Sequence, residues 1–125
     1  MAIDSTGVNS VGYGFRTKET ITAATLTTDL NDSGKVLNFT AAAVTVTLHA
    51  VAAGETLTLR VGANPQVLTV SPDAGDGIKG CDATGTDNKD IVFTNQPVGS
   101  YVTLVGGNST AWVIQSVSGA FSIEA

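Results

Sequence analysis

Five aspartates fall within one short stretch of this chain: Asp73, Asp76, Asp82, Asp87 and Asp90. Their oxygens are hard ligands of the kind Ca²⁺ prefers, but the spacing fits no EF-hand loop. Asp is also a common turn former. The stretch is therefore expected to consist of solvated turns, with no metal and no cofactor. His49 is the single histidine and Cys81 the single cysteine. A catalytic thiol needs a base and a catalytic imidazole needs an orienting partner; chain distance does not exclude such partners, but nothing in the sequence suggests them, and both residues are expected to be structural. Gly106-Gly107-Asn108 lacks the Lys and the following helix that a phosphate cradle requires. Neither Gly-x-Ser-x-Gly, His-Glu-x-x-His nor Cys-x-x-Cys occurs, and a non-enzyme is expected. Trp112 is either a core or subunit-interface residue or a stacking platform for sugar. Its neighbours Val113 and Ile114 favour the first.

The composition narrows the choice of partner. A chain of 125 residues suits one domain. Charged residues are 14% of it, against about 25% in ordinary globular chains, and Thr, Val, Ala and Gly replace them. So few charges suggest a surface partly covered by other protein. Six basic residues against eleven acidic ones give a net charge of -5, too few clustered cations for nucleic acid. One cysteine rules out a disulfide framework. Residues Met1 to Thr6 have neither the basic region nor the apolar core of a signal peptide. No stretch approaches the ~20 apolar residues that cross a bilayer. Synthesis in a cytoplasm, and no membrane partner, are expected.

Two regions differ in texture. Residues 1–19 are rich in Gly, Ser and Asn, with Tyr13 and Phe15 set between glycines and Arg16 beside them. We expect an extended N-terminal arm, with the two aromatics as anchors on a partner. Residues 20–125 read as a single β domain of about eight strands, a β-sandwich or jelly roll. Val44, Val46 and Leu48 alternate with Thr45 and Thr47, and Leu57, Leu59 and Val61 alternate with Thr56, Thr58 and Arg60. This is the period of half-buried strands. Gly62-Ala63-Asn64-Pro65 is expected to join 56–61 and 66–70 as a hairpin. Residues 72–89 are expected to form a long polar loop from which Ile78 dips inward. Strands are expected at 91–94, 101–105 and 112–117, the last two joined by a hairpin turn, with Phe121 and Ile123 on a closing edge strand. Gly54, Thr58, Leu59 and Gly62 echo Gly99, Thr103, Leu104 and Gly107 at a constant offset, which suggests two similar hairpin units.

Taken in order, certain of these residues also form a resemblance. Asp32-Ser33-Gly34-Lys35-Val36-Leu37, Val44 to Leu48, the Ala52-Ala53-Gly54-Glu55 turn, Ile78-Lys79-Gly80 and Trp112 to Gly119 together resemble small β-rich modules of tailed-bacteriophage virions. Such modules occur as capsid decoration (cement) proteins and as appended domains of tail and head fibres. The resemblance covers roughly residues 30–119, and His49 stands where the family's usual segment has a proline. It implies a structural protein of the virion's capsid surface, often a homotrimer, whose partner is the major capsid protein. The interface candidates are then Tyr13, Phe15, Arg16 and Trp112. The competing reading is a receptor- or glycan-binding head domain of a fibre.

Overall fold

A computed structural model describes residues 18–80, 83–84, 89–107 and 110–124. Among them the chain is all β, with one 3-10 turn at Leu30–Asp32 as its helical element. The strands are β1 (Lys18–Ile21), β2 (Thr25–Thr27), β3 (Val36–Phe39), β4 (Ala43–Thr47), β5 (Thr56–Val61), β6 (Val67–Ser71), β7 (Gly77–Gly80), β8 (Ala83–Thr84), β9 (Ile91–Thr94), β10 (Tyr101–Gly106), β11 (Ala111–Ser118) and β12 (Ser122–Ile123). They form a seven-stranded sheet in the order β1-β3-β5-β10-β11-β7-β8 and a five-stranded sheet in the order β12-β9-β6-β4-β2. The strands beyond the expected eight are short ones, of two to four residues, too brief to show a period. The first of them begins at Lys18, so the sheet starts inside the segment read as an arm.

The chain reaches this arrangement by winding. Its first six strands alternate between the sheets, and within each sheet they pair in parallel: β1 with β3 and β3 with β5, then β2 with β4 and β4 with β6. The expected hairpin of 56–61 with 66–70 is therefore wrong, because β5 and β6 lie in different sheets. Gly62-Ala63-Asn64-Pro65 is a corner. What holds it is Gln66, buried, whose side-chain amide donates to Phe39 O (2.8 Å) and Ala41 O (2.7 Å) in the corner below. Gly62 N also donates to Phe39 O. A Cβ on Gly62 would meet that oxygen at 2.4 Å, so only glycine lets the corners stack this closely.

After β6 the pattern becomes antiparallel. β9 pairs with β6, β10 with β5 and β11 with β10 as the expected hairpin, and β12 closes the edge against β9. β7 joins β11 in parallel, which puts Ile78 in the core as its sequence suggested. The echo between 54–62 and 99–107 is not a repeat of hairpins. β5 and β10 are antiparallel partners, and Thr58 faces Thr103.

A single apolar cluster draws on both sheets: Leu37, Phe39, Leu57, Leu59, Val102, Leu104 and Trp112 from one, Val44, Val46, Leu68, Val70, Ile91 and Phe93 from the other. Each set occupies alternate strand positions, as the pleat requires. Among the described residues no helix is long and apolar enough to cross a membrane.

Candidate functional site

Two of the residues singled out for chemistry, His49 and Asp76, are joints between corners. His49 lies on the connection from β4 to β5. Its Nδ1 is 2.7 Å from Thr28 Oγ1 and its Nε2 is 2.6 Å from Glu55 Oε1. Hydroxyl, imidazole and carboxylate in sequence have the make-up of a nucleophilic triad, but here each also holds the backbone or lies buried. Thr28 is 2% exposed, and its Oγ1 also accepts the His49 backbone N–H at 3.0 Å. Glu55 Oε2 accepts from Ala52 N at 3.0 Å. The cluster thus ties the β2–β3 connection to the β4–β5 connection. The next connection is tied in the same manner, by Asp76 Oδ2 accepting from buried Val51 N at 3.0 Å.

Glu55 is the partner that the sequence reading missed, because Ala52-Ala53-Gly54-Glu55 reads only as a turn. The spacing of six residues carries no helical or strand period. The turn itself, with Gly54 at φ +87, brings the carboxylate back to the imidazole.

Trp112 is fully buried and stands edge-on to His49, with ring centroids 5.5 Å apart and planes at 87°. Its side chain belongs to the chain's own core, so as a surface interface residue it is corrected, and a sugar platform is removed with it. Tyr13, Phe15, Arg16, Cys81, Asp82 and Asp87 lie outside the described residues. Of the remaining acidic stretch, Asp76 is taken up by the Val51 contact and Asp90 sits at the start of β9, where its backbone N donates to Glu124 Oε1 at 3.0 Å. Among the described residues no three His, Cys, Asp or Glu side chains converge as a metal site would need.

What remains are the outward faces of the sheets. On the five-stranded sheet the register aligns Thr25, Thr45 and Thr69 in one row and Thr27, Thr47 and Ser71 in another. Val67, Val92, Thr94 and Ser122 extend this face. None of these strand residues is charged, and the far side of the face opens into a shallow groove lined by Val92, Thr94, Gln96, Ala120, Phe121 and Ser122.

On the seven-stranded sheet three rows run across the outer surface. One holds Thr20, Asn38, Arg60, Tyr101 and Ser118. The next holds Lys18, Val36, Thr58, Thr103 and Ser116. The third holds Thr56, Val105, Val113 and Lys79. Arg60 donates to the side-chain oxygen of buried Asn38. No Asp or Glu stands in these rows. Lys35, by contrast, is paired: its Nζ lies 3.1 Å from Glu19 and 3.6 Å from Asp32. Its hydrogen bond to Glu19 and the charges of Glu19 and Asp32 hold its pKa above the ordinary lysine value, against an opposing effect of burial.

Compared with known proteins, the chain matches no protein-family model and no curated protein.

Proposed function

We propose that this chain is a structural virion protein that binds the outside of an assembled phage capsid and stabilises the shell, working as a homotrimer on the major capsid protein and running no reaction of its own. The observation that carries the reading is the use made of the chemistry-bearing side chains. His49, Glu55, Thr28 and Asp76 are spent on holding corners together, while the sheets offer broad outer faces with few charges. A body of this kind is suited to lying against other protein. We read the two sheets around one core as the layers of a β-sandwich, set apart from a jelly roll by the parallel ladders of its first half.

Binding that occurs only on the assembled shell would stabilise it by mass action, in proportion to RT ln(1 + [L]/Kd) for each site. Three linked copies would strengthen weak contacts through effective concentration. Tyr13, Phe15 and Arg16 are the anchors of the arm in this reading. The alternative, a receptor- or glycan-binding head of a fibre, needs an exposed aromatic platform. With Trp112 inside, the described residues offer only Tyr101 on the outer rows and Phe121 in the groove.

The test is immunogold electron microscopy of particles from the source lysate, with antibody to the purified protein. Gold spread over the heads supports a capsid-surface protein. Gold confined to tails or fibre tips overturns it in favour of host recognition.

A further inference from the structure

The outer face of the seven-stranded sheet separates charge in a way the net charge conceals. The chain is acidic overall, yet Lys18, Arg60 and Lys79 all project from this one face, and among the described residues of its strands no carboxylate does. The strand alternation requires it. Ile78 and Leu59 point into the core, so Lys79 and Arg60, one position on, point out. Lys18 stands in register with Val36, outward like it.

Between the cations lie Tyr101, Val105 and Val113, the last 37% exposed. Tyr101 is the cross-strand partner of Arg60. The guanidinium is held in place by Asn38, so its orientation is set before any partner arrives. Aromatic and aliphatic side chains in the middle, an ordered Arg beside a Tyr, and Lys at the margins reproduce the make-up of a protein-binding patch.

We infer that this face docks onto an acidic protein surface, with Arg60 and Tyr101 at the centre and Lys18 and Lys79 at the rim contacting the partner's carboxylates. Charge complementarity selects the partner: among the described residues no Asp or Glu shares the strand rows of the face's cations, whereas Lys35, off the face, has two acidic partners. Strand spacing sets Lys18, Arg60 and Lys79 roughly 10–25 Å apart. That is too sparse for duplex DNA, which carries a charge about every 1.7 Å, but it suits separate carboxylates on a folded protein. The assignment does not require the capsid reading, since an acidic surface on any virion part, or elsewhere, would serve.

The test measures binding of the full chain to immobilised poly-L-glutamate and, in parallel, to duplex DNA at about 0.15 M ionic strength. There the screening length of about 8 Å isolates the face from carboxylates elsewhere on the chain. The expected result is retention on poly-L-glutamate that falls with added salt and little retention on DNA. K18Q/K79Q, which alters two exposed side chains, should weaken retention roughly threefold or more. R60Q should weaken it at least as much, and K35Q should leave it unchanged. K18Q/K79Q decides the matter if R60Q fails to fold. No retention of the wild-type chain, equal retention of K18Q/K79Q, or DNA binding as strong as binding to poly-L-glutamate would each overturn the inference.

Discussion

The hydroxyls of Thr58 and Thr103 lie 2.9 Å apart on the outer side of the seven-stranded sheet, and both residues are buried. They are directly opposed partners of β5 and β10, so the bond fastens the wound half of the chain to the antiparallel half. A buried hydroxyl that loses its partner costs about 1–3 kcal/mol. Thr103→Val should therefore lower stability by that amount. A double-mutant cycle with Thr58→Val should yield a coupling of about 1 kcal/mol, read from urea unfolding. Zero coupling would mean that the two hydroxyls do not depend on each other.

His49, Glu55 and Trp112 form one packed unit, and their substitutions should rank by what each leaves behind. Trp112→Ala empties a fully buried site and should cost about 3–5 kcal/mol. Glu55→Ala strands the Ala52 N–H and the His49 ring and should cost about 2–3 kcal/mol. Glu55→Gln keeps an acceptor oxygen and should cost less. Chemical denaturation followed by circular dichroism would give the order. A Glu55→Ala protein as stable as wild type would remove the cluster from the structural account.

Two glycines in the same region should respond differently to alanine. Gly54 has φ +87 with nothing near its missing Cβ, whereas at Gly106 a Cβ would lie 1.9 Å from Ala52 O. Gly54→Ala then bears only backbone strain, about 1–2 kcal/mol. Gly106→Ala must push the β4–β5 connection off the end of β10 and should be the more damaging by a clear margin in thermal melts. Equal losses would show that the connection yields easily.

The Lys35 cluster sets a pH dependence. Its pKa in the folded chain is raised above 10.5, the ordinary lysine value, first by the hydrogen bond to Glu19. A raised amine pKa stabilises the fold fully below the unfolded value, and the contribution disappears as pH climbs through the folded one. The stability difference between wild type and Lys35→Met should thus stay level from neutral pH to about 10 and shrink above it. Because the pair is exposed, the difference should be small and salt-sensitive. A difference that grows in alkali would contradict the pairing.

The sequence made most of the strands legible, because the pleat forces a period of two wherever one face is buried. Val44, Val46 and Leu48, then Leu57, Leu59 and Val61, are in the core as their alternation required. So is Ile78, though it sits in a polar stretch. Pairing was another matter. Gly62-Ala63-Asn64-Pro65 has the composition of a hairpin turn and of a corner alike, and the deciding contacts, Gln66 to Phe39 and Ala41, span more than twenty residues. Parallel ladders leave no local trace for the same reason. Trp112 was read correctly as a residue that packs, but one tryptophan in an apolar strand does not say whether its neighbours come from its own chain. The shared face of Lys18, Arg60 and Lys79 was hidden because the three lie far apart in sequence, and only the sheet order sets them on one side.

The wound half of the molecule also has an open-ended design. Each pass through both sheets rests on the pass before it, through the same corner bonds and the same parallel register: Lys18 on Val36, Val36 on Thr58, Thr25 on Thr45, Ala43 on Val67. An architecture of this type can gain or lose a whole layer without rebuilding the rest. Related chains could therefore differ in height by complete layers while keeping the antiparallel lid of β9 to β12 unchanged, and the spacing between two surfaces bridged by such a protein would change in fixed steps of one strand width.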